Sequence, residues 1–445
     1  MQVTHLNSGA QPHHRWCPSK PIFSYAFVPS QSAECQTFHG EDSLIATDRG
    51  NFNSLYPPVF YMTMSAFVSG EPESSAVLMR SVSILLLVGI FCALWNLLPG
   101  NRRLTLVWGL VITSVPLGMF LLASNNPSSW AIISAGALWM SLLGYFESSG
   151  WRRAGLGALA VLALIIGAGA RADASVYAVL AILVVCVLTV EKTWRWVGAA
   201  LLPFLLVVVA VGFALSASQS SVALSGLGSP GPASWQSLFL VNLLEVPSLW
   251  VGVFGSWDLG WLDTHLPSVV WVGGLGVFVA CVSVGLKESS IRKILAVGIV
   301  VASMCVIPAY ILARSGAQVG TDVQPRYVLP LVVMLGGLAL LDIDLWRFRL
   351  SWTQTLIPLT VLAGGNSLAL HTNMRRYLTG LDERGPDLDA GAQWWWDISV
   401  SPMLVWAVGS LAFGGFLALL ARETLSSGRE RETVRVNVGT FDRER

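Results

Sequence analysis

Long apolar segments recur along this 445-residue chain, each close to the ~20 residues that cross a ~30 Å hydrocarbon core as an α-helix. The chain is 54% hydrophobic and only 12% charged, far more apolar than a soluble domain of this size. Eleven such segments are predicted, at 76–98, 104–123, 129–147, 154–170, 174–190, 196–217, 268–286, 292–313, 327–343, 352–370 and 402–421. The sequence therefore predicts an all-α polytopic protein that spans a lipid bilayer.

Lysine and arginine are concentrated in alternate connections between these segments. The basic connections contain Arg102/Arg103, Arg152/Arg153, Lys192/Arg195, Lys287/Arg292/Lys293 and Arg347/Arg349. The connections 124–128 and 218–267 contain neither residue type. Because short basic connections stay in the cytoplasm, we expect a multi-pass protein of the plasma membrane with its amino terminus outside and its carboxyl-terminal tail inside.

This orientation divides the chain into five regions. They are an extracytoplasmic segment with an interfacial helix (1–75), a first helical bundle (76–217), a long extracytoplasmic loop (218–267), a second helical bundle (268–421) and a cytoplasmic tail (422–445). Residues 1–21 lack the apolar core of a signal peptide. Either the first region is translocated behind its first helix, or a preceding twelfth helix is missing from this sequence, which is the alternative we favour.

The amino-terminal region contains two cysteines and, further along, a histidine with two nearby acids. Cys17 and Cys35 lie where the compartment permits a disulfide, and two free thiols are the alternative. Further along, His39 is followed closely by Glu41 and Asp42. A carboxylate near the membrane face can act as a general base or bind a metal, and a solvated polar loop is the other interpretation.

The long loop 218–267 is rich in tryptophan and contains several acids. Its stretch 235–250 favours an interfacial helix. The following residues include two indoles and two carboxylates, namely Trp257, Asp258, Trp261 and Asp263. Tryptophan at this level often anchors a protein in the headgroup region, but indoles paired with acids also form sugar-binding platforms. Both interpretations stay open.

Two arginines are predicted at the outer ends of helices. Arg171 lies with Asp173 in a very short turn, and Arg326 begins a span. Arginine there opposes the positive-inside bias, so a phosphate or carboxylate at headgroup depth is a plausible partner. Alternatively, these side chains snorkel to the surface, or pair with Asp173 or Asp322.

Signatures of several enzyme classes are missing from the sequence. It contains no G-x-x-x-x-G-K-[ST] loop, no H-E-x-x-H and no G-x-S-x-G. The sequence therefore does not support an ATP-driven pump or a hydrolase of those types. The predicted spans also lack charged residues near their centres, unlike many ion-coupled transporters. Asn366 is the main polar residue within a span.

Several short motifs, in this order along the chain, resemble a bacterial family of multi-spanning membrane proteins of unknown function that is common in actinobacteria. They are Cys17, Ser32-Ala33-Glu34-Cys35, Tyr56-Pro57-Pro58-Val59-Phe60-Tyr61, Arg80, Asn126-Pro127-Ser128-Ser129, Gly260-Trp261-Leu262-Asp263-Thr264 and Pro325-Arg326-Tyr327. That family is similar to the GT-C glycosyltransferases, which use a polyprenyl-phosphate-linked sugar at the outer face. The resemblance implies a GT-C-like fold.

The resemblance also implies roles for particular residues. The segment 56–64 would be an interfacial helix, with Tyr56 and Tyr61 near the substrate. Arg326 is the best match for a contact to the donor phosphate, and Arg171 is the second. Relatives begin with a helix followed by an acidic motif that ends in histidine, and this sequence has neither. Glu41 and Asp42 are then the candidates to replace the missing catalytic carboxylate.

The function expected from these observations is transfer of a sugar from a polyprenyl-phosphate-linked donor to a cell-envelope acceptor. A transporter or flippase of lipid-linked sugars is one alternative, and a non-catalytic envelope protein, a truncated relative, is another. The sequence identifies no cofactor, assigns no metal ligands and gives no reason to expect a nucleic-acid partner.

Overall fold

The computed structural model describes residues 26–35, 51, 55–217, 234–287, 289–321, 323–341 and 352–441. Within these ranges the regular secondary structure is helical, apart from an isolated bridge between Leu259 and Thr264. The helices are α1 (Pro58–Ser65), α2 (Pro72–Leu97), α3 (Gly100–Thr113), α4 (Pro116–Leu122), α5 (Pro127–Glu147), α6 (Gly150–Ala168), α7 (Ala172–Thr189), α8 (Trp194–Ala199), α9 (Leu201–Ser216), α10 (Trp235–Glu245), α11 (Pro247–Val251), α12 (Ser268–Gly285), α13 (Ile291–Arg314), α14 (Pro325–Ala339), α15 (Trp352–Leu378) and α16 (Pro402–Phe441).

Most of these helices are long and apolar. In the described ranges, nine helical segments can cross a membrane by length and composition, or up to ten if the bent pair α3 and α4 counts as one span. Each apolar segment predicted from the sequence coincides with one or two of the helices. The prediction of an all-α polytopic membrane protein is therefore confirmed, although fewer than eleven helices meet this test.

The predicted span 104–123 is not a single straight helix. Its two parts, α3 and α4, are bent by 100° relative to each other, and Pro116 begins the second part. Proline has no N–H to donate and its ring crowds the preceding turn, so it interrupts a helix. The Nδ2 of Asn366 donates a hydrogen bond to the carbonyl oxygen of Ser114, at 2.9 Å. The polar residue noted in a late span thus supplies a hydrogen bond at this break.

Helix α14, which carries Arg326 near its start, is enclosed by other helices. Residues 328–341 are all buried, and the helix packs against α3, α5 and α13. Its 15 residues extend about 23 Å, which is less than the hydrocarbon thickness of a bilayer. Because protein surrounds the helix, its backbone need not reach both membrane surfaces.

The segment Trp235–Ser256 is helical and apolar enough to meet the length and hydropathy of a span. Near its start, Asn242 donates a hydrogen bond to the carbonyl oxygen of Ala317, at 2.9 Å. Near its end, Gly252 is so close to Pro325 that a Cβ at Gly252 would lie 2.4 Å from the proline Cγ. Ala317 lies in the connection between α13 and α14, and Pro325 is the first residue of α14. Because the segment is one of the nine candidate spans, the interfacial helix expected here stays a prediction.

Connections predicted to be cytoplasmic contact one another at one end of the bundle. Arg102 pairs with Glu147 at 2.6 Å, and Arg292 Nη2 donates to the carbonyl oxygen of Val190 at 2.9 Å. The buried ammonium of Lys293 donates to the carbonyl of the final residue of α12, at 2.8 Å. A cation is favourable at that position because carbonyl groups at a helix carboxyl end carry partial negative charge.

Candidate functional site

Arg171 lies just before α7, and its side chain is buried. Its Nε and Nη2 donate to the two carboxylate oxygens of Asp173, both at 2.8 Å, and its Nη1 donates to Ser128 Oγ at 3.4 Å. Burial alone lowers the pKa of the guanidinium, but the adjacent Asp173 outweighs burial and raises this pKa above its ordinary value. Of the alternatives considered for Arg171, pairing with Asp173 is therefore present in the structure.

The ring of Tyr327 lies beside two guanidinium groups. The Cζ of Arg171 is 4.7 Å from the ring centroid, and the Cζ of Arg326 is 5.2 Å from it. Both distances are within the range of cation–π attraction. The hydroxyl of Tyr177 donates to the backbone carbonyl of Tyr327 at 2.8 Å. These contacts hold the start of α14 against α7.

Arg326 keeps unused capacity to donate hydrogen bonds. Its Nη2 donates to the hydroxyl of Tyr327 at 3.3 Å, whereas its buried Nε has no hydrogen-bond partner among the residues that the structure describes. Leaving such a donor unsatisfied costs about 1–3 kcal/mol, and more for a charged group. Two guanidinium groups and the Asp173 carboxylate give this site a net charge of +1. The site is therefore suited to an anion.

Helix α1 lies in the aromatic segment that is predicted to form an interfacial helix, and two contacts fix its position. The backbone N–H and C=O of Tyr56 are both hydrogen-bonded to the side chain of Asn51, at 2.8 Å. The N–H of Val59 donates to the carbonyl of Gly169 at 2.9 Å. A Cβ at Gly169 would lie 2.4 Å from a Val59 methyl group, so a larger residue would separate these segments. The ring of Tyr56 thereby lies 5.9 Å from Arg171 Cζ.

Tyr61 lies next to Tyr56, with ring centroids 5.9 Å apart. Burial and the nearby Tyr56 raise the pKa of Tyr61 to about 12, against the opposing effect of Arg171. At neutral pH its hydroxyl is therefore protonated and can donate a hydrogen bond. We call the whole group the arginine–tyrosine cluster, which consists of Tyr56, Tyr61, Arg171, Asp173, Arg326 and Tyr327.

A second group is built around residues 257–266, which we call the outer-cap loop. Asp263 forms an ion pair with Arg376 of α15 at 2.6 Å, and both side chains are almost fully buried. Arg376 Nη1 also donates to the backbone carbonyl of Gln31. The Asp263 carboxylate, a predicted substrate contact, is thus engaged with Arg376 and holds the loop against two other parts of the chain.

The backbone of the outer-cap loop is tightly folded. Asp258, Gly260 and Leu262 all have positive φ angles, of 47°, 66° and 61°. Such angles are unfavourable for residues other than glycine and persist only where the surroundings impose them. Backbone hydrogen bonds between Leu259 and Thr264, at 3.0 and 3.3 Å, close the turn. The buried ion pair and this turn together fix the conformation of the loop.

The predicted sugar-platform residues occupy different environments in this loop. The ring of Trp261 lies 5.6 Å from the exposed ring of Phe27 and is tilted by 59° to it, and the Asp258 carboxylate lies 2.9 Å from the ring nitrogen of the exposed His265. Trp257 is partly buried. It lies near the start of α14, as shown by Gly252, where an added Cβ would contact both Trp257 and Pro325. Through Trp257 the outer-cap loop lies next to the helix end that carries Arg326.

Other predicted site residues lie outside the described residues. Glu41, Asp42 and Cys17 belong to this group, and only the backbone of Cys35 is described, in a short 3₁₀ turn. The disulfide and the roles of the two acids stay predictions. In the described ranges no group of three or more His, Cys, Asp or Glu side chains is arranged to hold a metal ion.

The sequence did not indicate that Arg376 pairs with Asp263, or that Ser128 accepts a hydrogen bond from Arg171. Arg376 follows Arg375 at the polar end of an otherwise apolar helix. An arginine that is buried at such a position requires an acidic partner, and this requirement was the available signal. Its partner Asp263 is 113 residues away in the chain, and hydropathy patterns contain no information about such pairs.

Comparison with known proteins gives one match. Residues 23–335 match a protein family described as "Predicted membrane protein (DUF2142)". This range includes the arginine–tyrosine cluster and the outer-cap loop. No curated protein and no solved structure matches the chain. Because the matched range covers more than half of the sequence, the chain belongs to the DUF2142 family of predicted membrane proteins.

Proposed function

We propose that the protein transfers a sugar from a polyprenyl-phosphate-linked donor to a cell-envelope acceptor, at the extracytoplasmic face of the plasma membrane. The observation that carries this proposal is the buried Nε of Arg326, which has no hydrogen-bond partner in the part of the chain described. It lies at the end of an apolar bundle where predicted outer segments meet. A lipid-linked phosphate would reach this depth from the bilayer.

In this proposal the donor phosphate binds the arginine–tyrosine cluster. Arg326 makes the direct contact, since guanidinium groups bind phosphate oxygens through paired hydrogen bonds. Arg171 is the second basic residue, and its ion pair with Asp173 and its position beside Tyr327 hold the cluster in place. The hydroxyls of Tyr56 and Tyr61 are additional donors near the same phosphate.

The sugar and the acceptor are placed along the outer-cap loop. Trp257 connects this loop to the start of α14, so a sugar attached to a phosphate at Arg326 is directed toward it. Trp261 offers an aromatic face, and Asp258 a carboxylate for hydroxyl groups. The rigid backbone of the loop suits a binding surface, because residues that need not reorganise lose little entropy on binding.

The reaction also needs a group that accepts the proton of the acceptor hydroxyl. Asp173 is unsuited to this task, because Arg171 holds both of its carboxylate oxygens. We assign the role to Glu41 or Asp42 in the outer segment. As the acceptor oxygen bonds to the anomeric carbon, the bond from this carbon to the phosphate oxygen breaks, the proton moves to the carboxylate, and polyprenyl phosphate leaves.

Substitution of Arg326 tests the site. Arg326→Ala is expected to lower sugar transfer from a radiolabelled polyprenyl-phosphate donor about a hundredfold in liposomes, because a charged contact to the leaving phosphate is lost. Arg326→Lys keeps the charge but not the paired hydrogen bonds, so its rate should lie between the two. Arg152→Ala, at an exposed arginine in a connection predicted to be cytoplasmic, is the matched control and should transfer normally. Normal transfer by Arg326→Ala would remove Arg326 from the donor site.

The two alternatives give different results in the same liposomes. A flippase moves the labelled lipid to the other leaflet while the sugar stays attached to its phosphate. A non-catalytic envelope protein produces neither a labelled acceptor nor movement of the donor. Analysis of the labelled products by thin-layer chromatography separates these results from transfer.

A further inference from the structure

A cleft of about 470 Å³ lies between the aromatic segment before α1 and the second half of α9. Its lining residues are Asn51, Tyr56, Pro58, Val209, Gly212, Phe213 and Ser216. The volume is within the range of about 300–1,000 Å³ that is usual for small-molecule sites. The cleft is therefore large enough to hold part of a ligand.

One wall of the cleft belongs to a helix that faces the bilayer. Residues Trp194–Ser216 are long and apolar enough to cross a membrane, and only 22% of the most apolar window is buried. Val208, Val211 and Leu215 are 55%, 45% and 73% exposed, so the same part of α9 presents apolar side chains outward. Hydrocarbon chains of the membrane are thus next to the cleft.

The opposite wall connects the cleft to the arginine–tyrosine cluster. Tyr56 lines the cleft, and its ring lies 5.9 Å from Arg171 Cζ. The side chain of Asn51 fixes this tyrosine through two backbone hydrogen bonds. The cleft is therefore adjacent to the arginine–tyrosine cluster, in which two guanidinium groups and the Asp173 carboxylate sum to a net charge of +1. A molecule that matches both has a hydrocarbon chain and an anionic end.

We infer that the cleft binds the chain of a polyprenyl phosphate, with the isoprene units nearest the phosphate between α9 and Tyr56. A volume in the lower half of the usual range accommodates one chain better than the two chains of a phospholipid. Pro58 and Phe213 provide the apolar contacts for a methyl-branched chain. This inference rests on the proposed function for the class of lipid, but lipid binding is measured separately from sugar transfer.

Gly212 allows the cleft to be filled without disturbing the fold. A Cβ at Gly212 would have no other atom within 4 Å, and the same is true of Gly276 in α12, away from the cleft. We would place the full-length protein in phosphatidylcholine nanodiscs and titrate it with undecaprenyl phosphate, with bound lipid counted by native mass spectrometry. Gly212→Phe should weaken binding about tenfold or more, and Gly276→Phe should leave it within about twofold. Unchanged binding to Gly212→Phe would overturn the inference.

Two further lipids test which chemistry the cleft selects. Undecaprenol lacks the phosphate, and dioleoyl phosphatidate carries a phosphate on two acyl chains. Weaker binding of both supports the inference. Equal binding of undecaprenol would contradict the link to the arginine–tyrosine cluster, and equal binding of phosphatidate would assign the cleft to a phospholipid. If undecaprenyl phosphate binds through the cleft while no sugar is transferred, the proposed reaction fails and the lipid site stands.

Discussion

Asp263 and Arg376 form a buried ion pair, 2.6 Å from carboxylate oxygen to Nη2, that connects the outer-cap loop to the end of α15. Their side chains are 3% and 0% exposed, so neither charge has water as an alternative partner. Removal of one charge from such a pair leaves the other buried without compensation. The pair is therefore the main support of the outer-cap loop.

Asp263→Asn should lower the free energy of unfolding by about 3–5 kcal/mol, because the guanidinium of Arg376 would lose its charged partner. The measurement is thermal or denaturant unfolding of the purified protein in detergent. Asp258→Asn instead replaces the carboxylate that is hydrogen-bonded to the exposed His265, and should change stability by at most about 1 kcal/mol. Equal effects of the two substitutions would show that the buried pair does not support the loop.

Asn366 is expected to stabilise the bend between α3 and α4. Asn366→Leu removes the hydrogen bond to the carbonyl of Ser114 and should destabilise the protein by about 0.5–1.5 kcal/mol, the usual net contribution of an intramolecular hydrogen bond. Asn96→Leu is the control, because the Asn96 side chain is exposed and bonds only to the preceding turn of its own helix. A stability of Asn366→Leu equal to that of the control would contradict a role at the bend.

Gly252 permits the close approach of Pro325 and Trp257. Gly252→Ala should destabilise the protein by about 1–3 kcal/mol through overpacking, and should also displace the start of α14 that carries Arg326. Gly276→Ala has open space around its Cβ and should be neutral or stabilising by about 0.5–1 kcal/mol. Unfolding measurements on both variants test the two stabilities, and a donor-binding assay tests whether the start of α14 has been displaced.

The raised pKa of Tyr61 has a consequence at alkaline pH. The unfolded state loses this proton near pH 10, whereas the folded state keeps it until about pH 12. The contribution of Tyr61 to stability is therefore unaffected below pH 10 and falls as the pH rises from 10 to 12. The difference in tyrosinate absorbance between the wild type and Tyr61→Phe should show a transition near pH 12. A transition near pH 10 instead would exclude the buried environment of Tyr61.

The helices, and the positions of Arg171 and Arg326 at helix ends, could be predicted from the sequence for a physical reason. Apolar runs of membrane length leave the backbone no alternative to helix, so composition and spacing predict these elements well. Pro116 is also a sequence signal for the bend, because proline interrupts a helix. An apolar window of about 20 residues that includes this proline nevertheless predicts one span.

The groupings of side chains required the structure. Tyr327 was visible as part of a motif, but its contact with Arg171 depends on how α7 and α14 pack, and that packing is specified by many small contacts. The environment of Asp263 is a similar case, because a carboxylate in a tryptophan-rich loop has the same local pattern whether it binds a sugar or an arginine.

Transfer of the sugar itself is the most direct test of the account. Purified protein in liposomes would receive a polyprenyl-phosphate donor with a radiolabelled sugar, together with an envelope fraction as acceptor. We expect label on the acceptor and release of one polyprenyl phosphate for each sugar transferred. Label that remains on the donor lipid, whether or not that lipid has crossed the bilayer, would contradict the proposed function.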